Sequence, residues 1–283
     1  MYNVTVVGLG LIGGSIAKAA KGFHSCTVYG VDNDASVIKK AFEDGVIANS
    51  TCTEADIKNI LSASDLTVVA LYPQATIDFI LENQKYMKSG AVIIDVCGVK
   101  GLVVGAVEPA LREDLYFVGC HPMAGREVSG YANSLGELFK NCNFIITPTH
   151  NTKRPGLETA EAFARHIGAG NLINTSPDDH DEMIAYTSQL MHAVAVALCD
   201  NTHIEKSAMY SAGSLRDCTR VAILNEDLWS ELFVLNKDSL SKLIDEMCDS
   251  LTRIREAVSS SDREELKTIM RGATAAKRKF LNN

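Results

Sequence analysis

From Asn3 to about residue 148, short runs of Val and Ile alternate with stretches whose apolar residues recur at helical spacing. The apolar runs are Asn3 to Val7, Thr27 to Val31, Leu66 to Ala70, Val92 to Asp95, Tyr116 to Cys120 and Asn143 to Thr147. Between the early ones lie helical patterns such as Gly13 to Lys21 and Ala35 to Asp44, the second with Val37, Ile38, Ala41 and Phe42 on one face. This is the rhythm of βαβ units, and it predicts an α/β fold with a Rossmann-type, doubly wound parallel sheet. A further helix over Leu157 to His166 and a short strand over Asn171 to Asn174 complete that unit.

The pattern then changes. Ser176-Pro177-Asp178-Asp179 is a helix start: Ser176 is placed to cap, Pro177 falls at the first helical position and the acids follow in the first turn. From there to Asn283 no strand is predicted, and helical periodicity runs through Met183 to Ala197, Leu228 to Leu235, Leu240 to Val258 and Glu264 to Phe280. The expected organisation is a dinucleotide-binding domain over 1–175 and an all-helical domain over 176–283 that binds substrate and dimerises. Long amphipathic helices left unsatisfied in one subunit bury their apolar faces against a partner, which predicts a homodimer through the C-terminal helices; a self-contained bundle is the alternative.

Composition narrows the partners. With 46% hydrophobic and 22% charged residues the chain is globular in type, and its apolar runs are strand-sized, far short of the roughly 20 residues a membrane span needs. The N-terminus enters the first strand with no basic leader, so a cytoplasmic location is expected. Eight scattered cysteines show neither paired spacing nor metal-type spacing to histidines, so reduced thiols and no metal are expected. A net charge of −8 disfavours nucleic acid, whereas a small anionic substrate needs only one or two arginines.

The first strand runs into Gly8-Leu9-Gly10-Leu11-Ile12-Gly13-Gly14, a G-x-G-x-x-G between a strand and a helix. Gly8 permits the tight turn, Gly10 lets backbone approach a pyrophosphate, Gly13 lets helix and strand pack closely, and Leu11 and Ile12 open the helix whose N-terminus faces the phosphates. Asp32 ends the second strand, where a carboxylate accepts from both ribose hydroxyls. A 2′-phosphate there would be repelled, so NAD is favoured over NADP. Leu71 and Pro73, at the exit from the strand Leu66 to Ala70, are candidates to wall the dinucleotide, or form an ordinary strand exit.

His121 stands where a ligand lies in such sheets, beyond the carboxyl end of a strand; on position alone a structural histidine is an equal reading. The string around it alters the balance. His121-Pro122-Met123-Ala124-Gly125-Arg126-Glu127-Val128-Ser129-Gly130 resembles the H-P-M-x-G-x-E-x-S-G signature of the prephenate dehydrogenase family. Asp95 to Lys100 is similar to that family's D-x-x-S-x-K, Ser188 to His192 to its S-H-L-x-H, and Arg216 to Arg220 to its R-D-x-T-R; Trp229 falls where the family has a tryptophan.

The resemblance implies NAD-dependent oxidative decarboxylation of prephenate to 4-hydroxyphenylpyruvate in tyrosine biosynthesis, or of arogenate to tyrosine. It implies His121 as the base for the ring hydroxyl, Arg220 as the partner of the side-chain carboxylate and His192 as a pocket-lining residue. Glu127 and Arg216 are implied as supporting or gating groups. Two positions implied in substrate binding depart from the family: Gly98 stands where it has Ser, leaving backbone, water or Cys97 to take that place, and Gln189, which can hydrogen-bond but carries no charge, replaces the first histidine of S-H-L-x-H. Two other readings are weaker. A hydroxyacid-type dehydrogenase carries a lysine on the first helix of its second domain, and Asp181 to Asp200 contains none. A silent NAD-binding regulator would not need His121 and Arg220 together.

Overall fold

The computed structural model describes residues 1–282. Seven strands form one sheet: β1 (Asn3–Val7), β2 (Thr27–Val31), β3 (Leu66–Val69), β4 (Val92–Asp95), β5 (Tyr116–Pro122), β6 (Asn143–Thr147) and β7 (Asn171–Asn174), in the order β2-β1-β3-β4-β5-β6-β7. The helices of this part are α1 (Leu11–Ala19), α2 (Ala35–Glu43), α3 (Glu54–Ala63), α4 (Pro73–Asn83), α5 (Gly101–Val107) and α6 (Arg154–His166).

Side chains that alternate along each strand divide the core into two layers. Val4, Val6, Val68, Ile94 and Val118 face one layer with Ile16 of α1, Ile38 of α2 and Phe163 of α6. Val7, Val69, Ile93 and Phe117 face the other with Leu61 of α3, Ile77 of α4 and Val103 of α5. Burial on both faces is why these strands are so nearly unbroken runs of Val and Ile.

One strand departs from the expected parallel sheet. β6 is antiparallel to β5, with His121 opposite Ile145 and Pro122 opposite Phe144, and this pairing carries β5 two residues past Cys120. A parallel neighbour needs a crossover, usually a helix, and the segment between β5 and β6 holds no α-helix, only short turns such as Tyr131–Asn133.

The C-terminal part is helical among the described residues: α7 (Pro177–Ile184), α8 (Leu190–Cys199), α9 (Gly213–Thr219), α10 (Glu226–Leu235), α11 (Lys237–Ser259) and α12 (Arg263–Leu281). Ser176 caps α7 by accepting from the Asp179 N–H, with Pro177 in the first turn. Between α7 and α8 the chain does not break but widens into one π turn, Ala185–Gln189. In a regular α-helix the twelve-residue step from His180 to His192 sets the two about 120° apart; absorbing one extra residue brings them within about 20°, onto one face.

Candidate active site

At the nucleotide end each glycine has its own reason. Gly8 has φ +80°, and a Cβ there would lie 2.5 Å from the Ala70 carbonyl oxygen and 2.8 Å from Leu71 Cδ2. A Cβ at Gly13 would lie 1.7 Å from the Gly8 oxygen, so α1 and β1 can pack this closely only around a glycine. Gly10, by contrast, has open space where its Cβ would be. The first intrahelical bond of α1 runs from Gly14 N–H to Gly10 O, so the N–H groups of Leu11, Ile12 and Gly13 precede it and have no acceptor within the helix. The side chain of Leu11 is itself buried and that of Ile12 packs on the core, leaving backbone to face a ligand.

Asp32 is held in place by the same turn. Its Oδ2 accepts from Leu9 N–H at 2.7 Å and its Oδ1 from Asp34 N–H at 2.9 Å, so the carboxylate is oriented and each oxygen keeps a further lone pair. Leu71 lies against the glycine turn and Pro73 is buried as the first residue of α4.

At the end of β5, His121 is half-buried and joined through Nδ1 to His180 Nε2 at 2.9 Å. His180 is buried, and its Nδ1 meets Asp181 Oδ1 at 2.7 Å. Asp181 also accepts from the N–H groups of Lys100, at 2.7 Å, and Gly101, at 2.8 Å, which ties α7 to the start of α5. Beneath His121 lies a fully buried ion pair between Lys100 and Asp95. Asp95 also accepts from Cys97 N–H at 2.9 Å and Cys120 N–H at 3.4 Å, fixing the ends of β4 and β5 side by side. Burial holds the His121 imidazole well below its ordinary pKa, and the neighbouring His180 and the Lys100 ammonium act in the same direction. Burial lowers His180 as well, against the opposing pull of Asp181.

A second cluster gathers the other expected residues. Arg220, exposed at the end of α9, is ion-paired with Glu127 on the loop after β5. His192 on α8 stacks on Trp229 of α10, with centroids 3.5 Å apart and planes 28° apart, and its Nδ1 meets the Ser188 carbonyl at 2.9 Å. Burial lowers the His192 pKa; among its charged neighbours Arg220 lowers it further and Glu127 raises it, so all three share one electrostatic environment. Arg216 lies exposed on α9 with no ion-pair partner among the described residues.

Gly98 lies under α10, where a Cβ would sit 3.4 Å from Leu232 Cδ2. Cys97 does not take over for a hydroxyl there. Its Sγ is buried against Thr76 Oγ1 at 3.3 Å and the Leu71 carbonyl at 3.5 Å, and burial pushes the thiol up to about 12. Gln189 is buried as well: the π turn places it inside the helical packing, donating to the Leu232 carbonyl at 3.3 Å and accepting from Asn236 at 2.9 Å.

The family model for the prephenate dehydrogenase nucleotide-binding domain matches residues 16–172, and that for the prephenate dehydrogenase dimerization domain matches residues 176–272. The chain belongs to the prephenate dehydrogenase family. Prephenate dehydrogenase of Bacillus subtilis is 31% identical over 272 residues, covering 93% of this chain and 72% of the relative. Cyclohexadienyl dehydrogenase of Zymomonas mobilis is 30% identical over 267 residues, covering 92% and 89%. The crystal structure of prephenate dehydrogenase from Aquifex aeolicus in complex with hydroxyphenyl propionate and NAD+ superposes with a TM-score of 0.89 at 30% identity, over 99% of this chain and 98% of that one.

Within this prephenate dehydrogenase fold, three groups went unassigned from sequence: His180, Asp181 and the Lys100–Asp95 pair. The His-Asp dipeptide directly after the helix-start acids was the one available signal for the first two. Its partner His121 is 59 residues away, and only the packing of α7 against β5 and α5 brings them together.

Proposed function

We propose that this chain binds NAD+ and uses it to oxidise and decarboxylate prephenate to 4-hydroxyphenylpyruvate, a step toward tyrosine, with residues 1–175 holding the dinucleotide and 176–283 completing the substrate pocket and a homodimer. The observation that carries the reading is His121: one ring nitrogen is tied to His180, while Nε2 makes no hydrogen bond among the described residues. Six residues on, Glu127 reaches the guanidinium of Arg220.

The residues present fit the dinucleotide. The open face at Gly10 and the free N–H groups of Leu11, Ile12 and Gly13 suit a pyrophosphate, and Asp32 suits the ribose hydroxyls. When bound, NAD+ accepts hydride from the ring carbon that bears the hydroxyl. The chain's own tasks are alignment and proton handling. His121 Nε2 takes the hydroxyl proton as the carbon–oxygen double bond forms. Carbon dioxide then leaves from the opposite ring carbon, its bonding electrons complete the aromatic ring, and His121 returns the proton to the oxygen as the phenol. No proton is gained or lost overall. Arg220, exchanging Glu127 for the substrate's side-chain carboxylate, supplies a planar fork suited to that group. His192 and Trp229 form the adjoining wall.

Apolar side chains exposed on the C-terminal helices, among them Leu251 and Val258 of α11 and Met270 and Phe280 of α12, support dimerisation through this part. No helix among the described residues is long and apolar enough to cross a membrane, and the reading places the enzyme in the cytoplasm. The deciding experiment is an NADH-formation assay offering prephenate and arogenate with NAD+ and with NADP+. Turnover of prephenate with NAD+ is expected; oxidation of 3-hydroxy acids with neither cyclohexadienol touched would sink the assignment.

A further inference from the structure

A histidine that accepts a proton from a substrate hydroxyl needs a bare nitrogen facing that hydroxyl. Neutral imidazole carries its single proton on either nitrogen, and the choice is set by what the other nitrogen bonds to. Here the bonding partners leave one consistent assignment. Asp181 has no proton to give when ionised, so His180 Nδ1 must be the donor in their 2.7 Å contact. A neutral His180 then has a bare Nε2, so the 2.9 Å contact with His121 requires the proton to lie on His121 Nδ1. His121 Nε2 is left bare on the open side.

We propose that His180 and Asp181 are positioning residues that lock His121 in its Nδ1–H tautomer, through a one-way chain of hydrogen bonds running from His121 to His180 to Asp181. The proposal rests on His121 acting as the base. The support extends behind the pair: the N–H groups of Lys100 and Gly101 orient Asp181, Asp181 orients His180, and His180 orients His121. When His121 accepts the substrate proton, the same chain spreads the positive charge toward Asp181. That residue borders a depression whose other acids are Asp178, Asp179, Glu182 and Asp238. The buried Lys100 ammonium, paired with Asp95, opposes protonation of the ring. Burial, with the Lys100 charge behind it, thus keeps His121 neutral at rest, and only the chain toward Asp181 stabilises its protonated form.

The test uses the full-length enzyme with His180→Phe, which keeps a ring in the buried site but accepts no hydrogen bond, and His180→Gln, whose side-chain oxygen can accept from His121. In the wild type, ¹⁵N spectra of the histidine rings should show His121 protonated on Nδ1. In His180→Phe the proton should redistribute toward Nε2, with kcat lowered about 10- to 100-fold, a part of what a general base contributes, and KM for NAD+ little changed. His180→Gln should restore most of both. A merely structural role would lower thermal stability without altering the tautomer. A wild-type His121 carrying its proton on Nε2, or a His180→Phe enzyme with wild-type kcat, overturns the proposal. The spectra need no substrate, so turnover that survives His121→Asn would remove the base while the tautomer assignment is judged separately.

Discussion

Arg220, on the helical half of the molecule, is paired with Glu127, which sits on the loop leaving the strand that carries His121. The pair spans the junction where the substrate would lie, and it sets a competition: the carboxylate of Glu127 occupies the guanidinium that a substrate carboxylate would use.

Replacing Arg220 with Ala is therefore expected to raise KM for prephenate about 10- to 100-fold, the equivalent of about 1.5–3 kcal/mol for hydrogen bonds to a charged partner, with kcat changed much less. Glu127→Gln removes the competitor and should not raise KM. Steady-state kinetics on both variants decides the matter: an equal rise in the two would mean that Arg220 serves Glu127 rather than the substrate.

His121→Asn retains size and polarity but not basicity. Its kcat should fall about 10²- to 10⁴-fold while KM for prephenate and for NAD+ stays near wild type. Unchanged turnover would remove the base from the mechanism.

The pH behaviour follows from the sign of the shift. Burial lowers the pKa of both His121 and His180, so both are neutral at neutral pH and the base stays competent as pH falls past the ordinary histidine value of about 6.5. The acid limb of kcat/KM should accordingly lie below that value. The same shift links to stability. The unfolded chain binds protons at these histidines before the folded one does, so their contribution is complete above about pH 6.5 and declines as pH falls from there toward the depressed folded values. Denaturant melts at a series of pH values should show this loss, reduced in His180→Phe.

Two glycines three residues apart should respond in opposite ways. Gly10→Ala enters open space, so thermal stability should hold while affinity for NAD+ drops about tenfold or more, the new methyl standing where the pyrophosphate approaches. Gly13→Ala would place its Cβ 1.7 Å from the Gly8 oxygen, and the forced separation of helix and strand should cost about 1–3 kcal/mol or more. Thermal denaturation alongside NAD+ titration separates the two. A Gly10→Ala protein that binds NAD+ as tightly as wild type would place the pyrophosphate elsewhere.

Much of the architecture was legible because local and global preferences agree. β1, β2, β4 and β6 fall where their apolar runs predict them, since strands covered on both faces can hardly be built otherwise, and the exposed edge strand β7 falls at its predicted bounds as well. The extension of β5 through His121 and Pro122 was not legible, because it depends on a ladder with β6 that forms only in the folded sheet. The nucleotide turn could be read from spacing, as Gly8, Gly13 and Asp32 each answer a backbone requirement within one βαβ unit. The substrate side was harder. Gln189, a substrate-site position by its place in a motif, has its side chain bonded within the helical packing at the π turn, which spacing alone does not reveal. His180 drew no reading from the sequence, yet it is the hydrogen-bond partner of His121.

That π turn has a consequence for how the molecule tolerates change in length. Deleting one residue within Ala185–Gln189 would let the backbone relax into an uninterrupted α-helix, a change that local energetics favour. It would also leave His180 and His192 eleven residues apart, about 20° around a regular helix, so that the two still share a face. A shortened chain should therefore melt at a higher temperature with the alignment kept, whereas straightening the helix at full length would set the two histidines about 120° apart; the π turn stores the one residue that the alignment can do without.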